Sequence, residues 1–280
     1  MFYVVVIIVG GVSFYGGWRI VMLCRVVLRQ ARYVFCPGNR MVLRSPSDIG
    51  LPYESFTLPV DDQTFVTGWY VSGRKQRPGN GWHILFCHGN AGNIGDLVDV
   101  VDVMTALGFS ITVFDYRGYG ESYGVPSEEA TIKDAGVCYR YLVEQRGVRK
   151  DRLIWFGHSL GAAVACRAAT RYPAGMLVME GAFISIPAMA RIRYPRLPVE
   201  RHCRIVYDNL AAIRAVSVPV LIAHSREDET CPFEHGEAIF ACANEPKRFV
   251  EIKGGHDNGG MLTNPAYRQV LLDYAAEWLS

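Results

Sequence analysis

The stretch RLIWFGHSLGAAVA, residues 152–165, joins an apolar strand pattern to a helical pattern rich in small residues. Ser159 lies at the junction, two residues after Gly157 and two before Gly161. A strand-to-helix turn this sharp crowds the backbone, so glycines at these positions relieve contacts with neighbouring elements. The helix N-terminus that follows favours the negative charge of an attacking serine oxygen. The stretch therefore predicts a nucleophilic Ser159, and the rest of the chain has to exclude an ordinary structural serine.

Strand and helix patterns alternate through the remaining sequence. Two extended segments at 54–60 and 65–72 predict an antiparallel pair at one sheet edge. Short apolar runs then alternate with helical patterns, and these runs lie at 83–87, 110–115, 153–157, 176–180, 219–224 and 248–253. Such alternation is typical of a parallel sheet that is covered on both faces. The sequence therefore predicts an α/β fold with a mostly parallel central sheet, and Ser159 at the carboxyl edge where ligands bind.

A serine hydroxyl needs a general base, and seven histidines compete for that role. His256 lies in the glycine-rich segment IKGGHDNGG, between the last strand pattern and the last helix pattern. Such a loop can present an imidazole above the sheet, and the chain order Ser, Asp, His requires a late histidine. The sequence favours His256, while His88 and His224 also end strand patterns at the same edge. His158 is expected to point away from Ser159 within the turn.

The base in turn needs a carboxylate that orients it. Asp228 lies in AHSREDETCP directly after a strand pattern, and its neighbours Glu227 and Glu229 are expected to point elsewhere. Glu180, which ends the preceding strand pattern, is the rival acid. Asp115 also follows a strand pattern, but the segment DYRGYGES around it is interpreted as a structural turn. The arginine and tyrosines of that turn are expected to fix neighbouring loops.

Two backbone N–H groups must face the oxyanion that forms during acyl transfer. One is predicted at Leu160, and the other in the loop HGNAGNIG, residues 88–95, where Asn90 is favoured over Ala91. This loop lacks the spacing of a P-loop or of a dinucleotide fingerprint. The eight scattered cysteines form no C-x-x-C pair and no zinc-finger spacing. We therefore expect no cofactor and no metal, and free thiols in a reducing compartment.

The N-terminal segment differs from the rest of the chain. Residues 2–18, FYVVVIIVGGVSFYGGW, carry no charge, and Arg19 follows directly. The length and the aromatic and basic flank predict a membrane-anchor helix, with a buried helix of the globular body as the alternative. Because the flanking positive charge is C-terminal, the globular part is expected on the cytoplasmic side. Ser13 and Gly17 are small residues four positions apart, so self-association through this helix is also predicted.

Charge is distributed unevenly along the sequence. Residues 1–47 contain six arginines and no acidic residue, so the remainder carries a formal net charge of −4 within the total of +2. A mildly acidic body that follows a basic, apolar N-terminal segment argues against nucleic-acid binding and favours a lipid bilayer as partner. The predicted domains are an anchor with a basic linker, residues 1–45, and a catalytic domain, residues 46–280. The catalytic domain is expected to carry a short basic lid at 184–208.

Six segments together resemble one family. In chain order they are FCHGNAGNIGD, FDYRGYGESYGVPSEE, FGHSLGAAVA, EGAFISIP, PVLIAHSREDETCP and GGHDN. This set is similar to the α/β-hydrolases, and most similar to the membrane-anchored, bud-emergence-type branch of the serine hydrolases. The resemblance covers residues 50–280 and implies the α/β-hydrolase fold. It also implies the site residues, namely a triad of Ser159, Asp228 and His256 and oxyanion donors at Asn90 and Leu160.

The residues and the resemblance together favour a membrane-associated serine hydrolase that forms an acyl-enzyme. The arginines of 184–208 and the apolar N-terminal segment favour an acyl ester, a thioester or another lipid substrate presented at a membrane. Two alternatives stay open. One is a non-catalytic membrane scaffold that retains the fold, and the other is a hydrolase of non-lipid substrates, such as a peptidase.

Overall fold

A computed structural model of the chain describes residue 18 and residues 21–74, 81–257 and 259–279. The strands in these ranges are β1 (Cys36–Pro37), β2 (Glu54–Asp61), β3 (Thr64–Val71), β4 (His83–Cys87), β5 (Ala91–Gly92), β6 (Ser110–Phe114), β7 (Leu153–His158), β8 (Met176–Glu180), β9 (Val220–Ser225) and β10 (Lys247–Ile252). Residues 21–28 are helical, and the α-helices after them are α1 (Gln30–Val34), α2 (Val98–Leu107), α3 (Glu128–Arg140), α4 (Leu160–Ala169), α5 (Ile186–Arg193), α6 (Asn209–Ile213), α7 (Phe233–Cys242), α8 (Gly260–Thr263) and α9 (Pro265–Trp278).

Eight of the strands form one sheet in the order β10-β9-β8-β7-β4-β6-β3-β2. Neighbouring strands are parallel from β10 to β6, and β3 is antiparallel to both β6 and β2. The predicted parallel sheet with an antiparallel pair at one edge is therefore confirmed. The chain order reverses around β4, because β6 lies on one side of it and β7 on the other. Loops that leave β4 and β7 diverge at this point, which opens a crevice at the carboxyl edge.

The sheet is buried on both faces, as the apolar strand patterns predict. In β7, Leu153 and Trp155 pack into one core cluster, whereas Ile154 and Phe156 pack into the other. Successive side chains of a strand point to opposite faces, so a strand without polar side chains needs helices on both sides. Helix α4 covers the first face, and α2 and α9 cover the second. Because β7 is packed on both faces, its carboxyl end, and therefore Ser159 directly after it, has a fixed place in the sheet.

The segment that follows the predicted anchor packs against the body. Val34 and Phe35 are buried in a core cluster, and β1 pairs in parallel with β5. We call residues 35–45 the arm. Within the described ranges, no helix is both long and apolar enough to cross a membrane. The predicted anchor at 2–18 lies, apart from Trp18, outside the described residues.

Residues 184–208 form α5 and the short 3-10 helix Val199–His202. None of the residues of α5 is fully buried. The segment contacts the N-terminal part of the chain, since the Gln30 side-chain oxygen accepts hydrogen bonds from the N–H groups of Arg204 and Ile205 at 2.7 and 3.1 Å. Two stretches of the chain that lie far apart in sequence thus share one surface.

Candidate active site

Ser159 occupies the turn between β7 and α4 with a backbone that side chains rarely adopt. Its φ is 55°, in the region that favours glycine, and such strain is characteristic of functional turns. The glycines around it are sterically required. A Cβ on Gly157 would lie 2.1 Å from the Gly161 carbonyl oxygen, and one on Gly161 would lie 1.9 Å from the Cys87 carbonyl oxygen. The turn therefore holds Ser159 at the crevice beside β4.

The structure brings Ser159, His256 and Asp228 into one chain of hydrogen bonds. His256 Nε2 lies 2.8 Å from Ser159 Oγ, and His256 Nδ1 lies 2.7 Å from Asp228 Oδ2. A carboxylate only accepts, so Nδ1 carries the proton and Nε2 accepts from the serine hydroxyl. This is the tautomer in which an imidazole can take the proton of an attacking serine. The arrangement is competent for nucleophilic attack on an acyl carbon.

The Asp228 carboxylate is buried but well supplied with donors. Its side chain is 3 % exposed. Oδ1 accepts the backbone N–H groups of Thr230 and Cys231 at 2.9 and 2.7 Å. Burial alone would raise the pKa of Asp228, but hydrogen bonds from His224, His256 and the Cys231 N–H hold that pKa well below its usual range. Asp228 is therefore an anion that can stabilise an imidazolium.

His224 is a residue of this site that the sequence indicated only as a rival base. Its Nε2 donates to the Cys231 carbonyl at 2.9 Å and lies 3.4 Å from Asp228 Oδ2. It is fully buried in β9 and does not contact Ser159. Its position after the apolar run was visible in the sequence, but its role beside the acid depends on how the following loop turns back.

Residues 253–257 are here called the histidine loop. The two glutamates beside Asp228 accept hydrogen bonds from backbone N–H groups of this loop. Glu227 accepts the Gly254 N–H at 2.9 Å, and Glu229 accepts the His256 N–H at 3.1 Å. Only Asp228 reaches the imidazole, as predicted, yet all three consecutive acids contact residues 254–256. The loop after β9 therefore places the loop after β10.

The two predicted oxyanion donors belong to the start of α4 and to the loop after β4. Leu160 is the first residue of α4, so its N–H has no partner within the helix. We call residues 88–95 the oxyanion loop. This loop lies against Ser159, because a Cβ on Gly89 would be 3.8 Å from the Ser159 Cβ. Asn90 follows in the wall of the same cavity.

The segment DYRGYGES supports the oxyanion loop, as the structural interpretation predicts. Tyr116 donates its hydroxyl to the His88 carbonyl at 3.0 Å. Asp115 Oδ1 accepts the Ile94 N–H at 3.0 Å. Arg117 forms a buried ion pair with Asp134 of α3, at 2.6 Å, which anchors the segment itself. These side chains act on loops and do not reach Ser159.

A cavity of about 340 Å³ opens beside the nucleophile. Its wall combines the oxyanion loop, the turn, the end of β8 and the histidine loop, and it includes His158, Ser159, Glu180, His256, Asp257, Met261 and Leu262. None of the described residues that line it comes from 184–208. The predicted lid segment therefore lies outside this wall.

His158 lines this cavity beside His256. Its ring centroid lies 5.0 Å from that of His256. Its Nδ1 lies 3.3 Å from Glu180 Oε1. Burial lowers the pKa of His158, but the hydrogen bond and charge of Glu180, together with the charges of Asp257 and Asp228, outweigh burial, so the pKa is raised. Glu180, the rival acid, is thus paired with His158 and not with His256.

Among the described residues, two groups of side chains have donor atoms close enough to hold a metal ion. They are His158, His256 and Asp257, and Asp228, Cys231 and His256. Both require His256, whose two ring nitrogens already bond Asp228 and Ser159. Metal binding would therefore compete with the hydrogen-bond chain instead of adding to it.

Comparison with known proteins identifies relatives over most of the chain. The family described as serine aminopeptidase, S33, matches residues 80–210. The uncharacterized protein Rv2307c of Mycobacterium tuberculosis is 33% identical over 251 residues, which cover 86% of this chain and 87% of the relative. Protein bem46 of Schizosaccharomyces pombe is 28% identical over 250 residues, covering 87% of this chain and 83% of that protein.

A solved structure shares the fold. The esterase Pf2001 of Pyrococcus furiosus superimposes with a TM-score of 0.71 and covers 88% of this chain and 98% of its own. Its sequence identity is 15%, so the likeness concerns the fold alone. The overall fold of the chain is therefore one that a solved structure already shows.

Proposed function

The chain belongs to the α/β-hydrolase superfamily, most like its bud-emergence-type proteins, and we propose that it is a serine hydrolase acting on carboxylic esters or thioesters of acyl or lipid substrates. One observation carries the proposal: the continuous hydrogen bonds from Asp228 through His256 to Ser159. In this mechanism Ser159 attacks the acyl carbonyl while His256 takes its proton. The N–H groups of Asn90 and Leu160 stabilise the oxyanion.

The reaction then proceeds through an acyl-enzyme. The protonated His256, stabilised by the Asp228 anion, gives its proton to the departing alcohol or thiol. Water then attacks the acyl carbon while His256 takes its proton. The bond from the acyl carbon to Ser159 Oγ breaks, His256 returns the proton to that oxygen, and the acid leaves.

Covalent labelling tests this proposal. A fluorophosphonate probe should label the full-length protein, and Ser159→Ala should remove the label while leaving thermal unfolding unchanged. Ser122→Ala is a matched control, because Ser122 is a buried serine whose hydroxyl donates to the Asp115 carbonyl and lies outside the cavity wall. A folded protein that is not labelled would favour the scaffold alternative.

A substrate panel separates the hydrolase alternatives. We expect p-nitrophenyl esters of long acyl chains, acyl thioesters or lysophospholipids to be cleaved faster than acetyl esters and aminoacyl p-nitroanilides. Turnover confined to acetyl and butyryl esters would remove the lipid assignment. Turnover of the anilides alone would support the peptidase alternative, which the description of the matching family also suggests.

We further propose that the protein faces an anionic bilayer through a surface built from two segments. Residues 21–34 and 184–208 touch through the Gln30 contacts and through Tyr33 and Tyr194, whose ring centroids are 6.4 Å apart. Leu28 and Ile192 are exposed there, at 78% and 50%.

Charge supports the same partner. Residues 1–47 and 184–208 hold eleven of the 29 basic residues and two of the 27 acidic ones, which leaves a formal net charge of −7 on the rest. A basic, partly apolar face next to a predicted anchor matches the chemistry of an anionic lipid surface.

Hydrogen exchange in nanodiscs tests this bilayer contact. Amides of α5 should exchange more slowly beside phosphatidylserine-containing lipid than beside phosphatidylcholine alone. The double substitution of Arg191→Glu and Arg193→Glu should abolish this difference, whereas Lys150→Glu, an exposed residue before β7, should not. Equal exchange in both lipids would contradict the proposal.

A further inference from the structure

The oxyanion loop is held from outside by the arm. The Cys36 N–H donates to the Asn90 carbonyl at 2.9 Å, at the point where β1 pairs with β5. The Asn93 side-chain amide donates to the carbonyls of Asn39 and Met41 at 2.9 and 3.3 Å. The arm is thus joined to this loop by backbone and side-chain hydrogen bonds.

The same loop is held from inside by the body. The Tyr119 hydroxyl donates to the Asn90 carbonyl at 2.9 Å, so that carbonyl accepts from both sides. One residue earlier, His88 Nδ1 lies 2.8 Å from the Gly89 carbonyl. A carbonyl only accepts, so this nitrogen carries a proton and donates it. Both peptide groups that flank the Asn90 Cα are therefore held.

Because the peptide group is planar, these contacts also fix the directions of two backbone N–H groups. In a planar trans peptide the C=O and the N–H point in opposite directions. Holding the Gly89 carbonyl therefore orients the Asn90 N–H, and holding the Asn90 carbonyl orients the Ala91 N–H. These are the two N–H groups that the sequence offered as the second oxyanion donor. Their directions depend on Cys36, Tyr119 and His88.

We propose that the arm is a positioning part of the catalytic centre: the Cys36 N–H, together with Tyr119, fixes the Asn90–Ala91 peptide, which directly follows the proposed donor N–H of Asn90, and so holds the oxyanion loop in its productive geometry. This inference rests on the proposed function, because an oxyanion donor has a role only in acyl transfer. It also assigns a catalytic consequence to a segment that the sequence places in the linker. The segment that leads from the predicted anchor contacts the site directly, so a catalytic domain that begins at residue 46 lacks one of its supports.

Removal of the Cys36 N–H is the direct test. Cys36→Pro deletes the donor, since proline has no backbone N–H. Phe35, which would precede the new proline, is already extended at φ −109° and ψ 113°, the conformation that such a residue prefers. Cys36→Ser is the matched control, because it keeps the N–H and nearly the size of the side chain. Both are compared as full-length protein in nanodiscs.

We expect Cys36→Pro to lower kcat about 10- to 100-fold with little change in KM, because the donors act on the transition state. Amide exchange in the oxyanion loop should become faster. Cys36→Ser, which keeps the N–H, should lower kcat by a much smaller factor than Cys36→Pro. A merely structural arm would instead lower the melting temperature without separating kcat from KM.

Two further variants keep the test decisive if Cys36→Pro does not fold. Tyr119→Phe removes the inner donor and should lower kcat by a smaller factor, about threefold to tenfold. Asn93→Asp removes the amide that binds Asn39 and Met41 but keeps the Oδ1 acceptor for the Gly95 N–H. It should also lower kcat and leave KM unchanged.

The outcomes separate this inference from the proposed function. Absence of fluorophosphonate labelling in the unchanged protein would count against the proposed function itself. If the unchanged protein is labelled and active, but Cys36→Pro, Tyr119→Phe and Asn93→Asp all keep its kcat, the arm does not position the loop. A fall in kcat for Cys36→Pro that is much larger than that for Cys36→Ser supports the inference.

Discussion

Several buried histidines lie near carboxylates in the described part of the chain, and two of these pairs, close to Ser159, are built in opposite ways. His256 and Asp228 lie in loops after β10 and β9, with Nδ1 and Oδ2 only 2.7 Å apart. His88 and Asp115 follow β4 and β6, and their closest atoms, Nε2 and Oδ1, are 3.7 Å apart. Burial is nearly complete in both pairs, so burial does not distinguish them.

The number of donors distinguishes them. Asp228 accepts from His256 and from two backbone N–H groups, and its pKa is lowered despite burial. Asp115 accepts the Ile94 N–H on Oδ1, but no hydrogen bond from the described residues reaches its Oδ2. Burial raises the pKa of Asp115 to about 7 and lowers the pKa of His88 to about 4.

The comparison shows how one pair of residue types serves two purposes. Asp228, kept as an anion, is suited to stabilise a charged His256 during acyl transfer. His88 is kept neutral, which suits a fixed donor to the Gly89 carbonyl below the oxyanion loop. The first pair is built to change protonation, and the second is built to hold a backbone.

The largest effect is expected at the first pair. Asp228→Asn should lower kcat about 10³- to 10⁴-fold, because an amide can no longer hold the His256 tautomer and stabilise its charge. Steady-state kinetics on a p-nitrophenyl ester measures the change. Glu180→Gln is the control for the rival acid and should cost less than tenfold. If Glu180→Gln lowered kcat more than Asp228→Asn did, Glu180 and not Asp228 would orient His256.

A smaller effect is expected at the second pair. His88→Phe keeps a flat ring but removes the donor to the Gly89 carbonyl, so kcat should fall about tenfold with KM unchanged. His83→Phe is the comparison variant, because His83 is equally buried but bonds Thr112 inside the sheet. An unchanged kcat in a folded His88→Phe protein would show that the loop needs no such donor.

The smallest effect on rate, and a distinct effect on stability, is expected from Asp115→Asn. A carboxyl whose pKa is raised on folding stabilises the protein at low pH, and this contribution is lost as the pH rises from about 4 to about 7. The asparagine variant lacks this loss. Relative to the unchanged protein it should gain about 1 kcal/mol or more, or about 2–4 °C in melting temperature, between pH 5 and pH 8.

Thermal unfolding of both proteins across this pH range gives the difference directly. Activity should change less than threefold, since Asp115 does not touch the reacting atoms. A stability difference that is independent of pH would show that Asp115 is ionised in the folded protein, as Asp228 is.

Much of the fold and the site was predictable because the signals are local. Strand patterns that are apolar at consecutive positions, and so on both faces of the strand, predict a sheet covered on both faces. Gly157 and Gly161 mark a turn in which larger residues cannot fit, and Asp228 and His256 follow strands that end at the same edge. The predicted residues therefore meet where the sheet topology brings them.

Contacts between loops were not predictable in the same way. The pairing of His158 with Glu180, the position of His224 beside Asp228, and the backbone bonds of Glu227 and Glu229 all join residues from different loops. A sequence pattern gives the element on which each residue lies, but not the direction in which a loop turns back. The sequence predicts that His158 points away from Ser159, but the partner beside it, Glu180, follows from the pairing of β7 with β8.

The sequence by itself predicted the alternation of strands and helices and the turn at Ser159, because strand periodicity and turn sterics act over a few residues. It favoured Asp228 and His256 as partners of Ser159 from their positions after strand patterns, and the family resemblance implied the same residues. Only the tertiary structure decided that the arm lies against the oxyanion loop. The bond from Cys36 to Asn90 spans more than fifty residues, and it exists because β1 is placed beside β5 when the core around Val34 and Phe35 is buried. Long-range packing, which no local pattern encodes, thus joined a predicted linker to the catalytic centre.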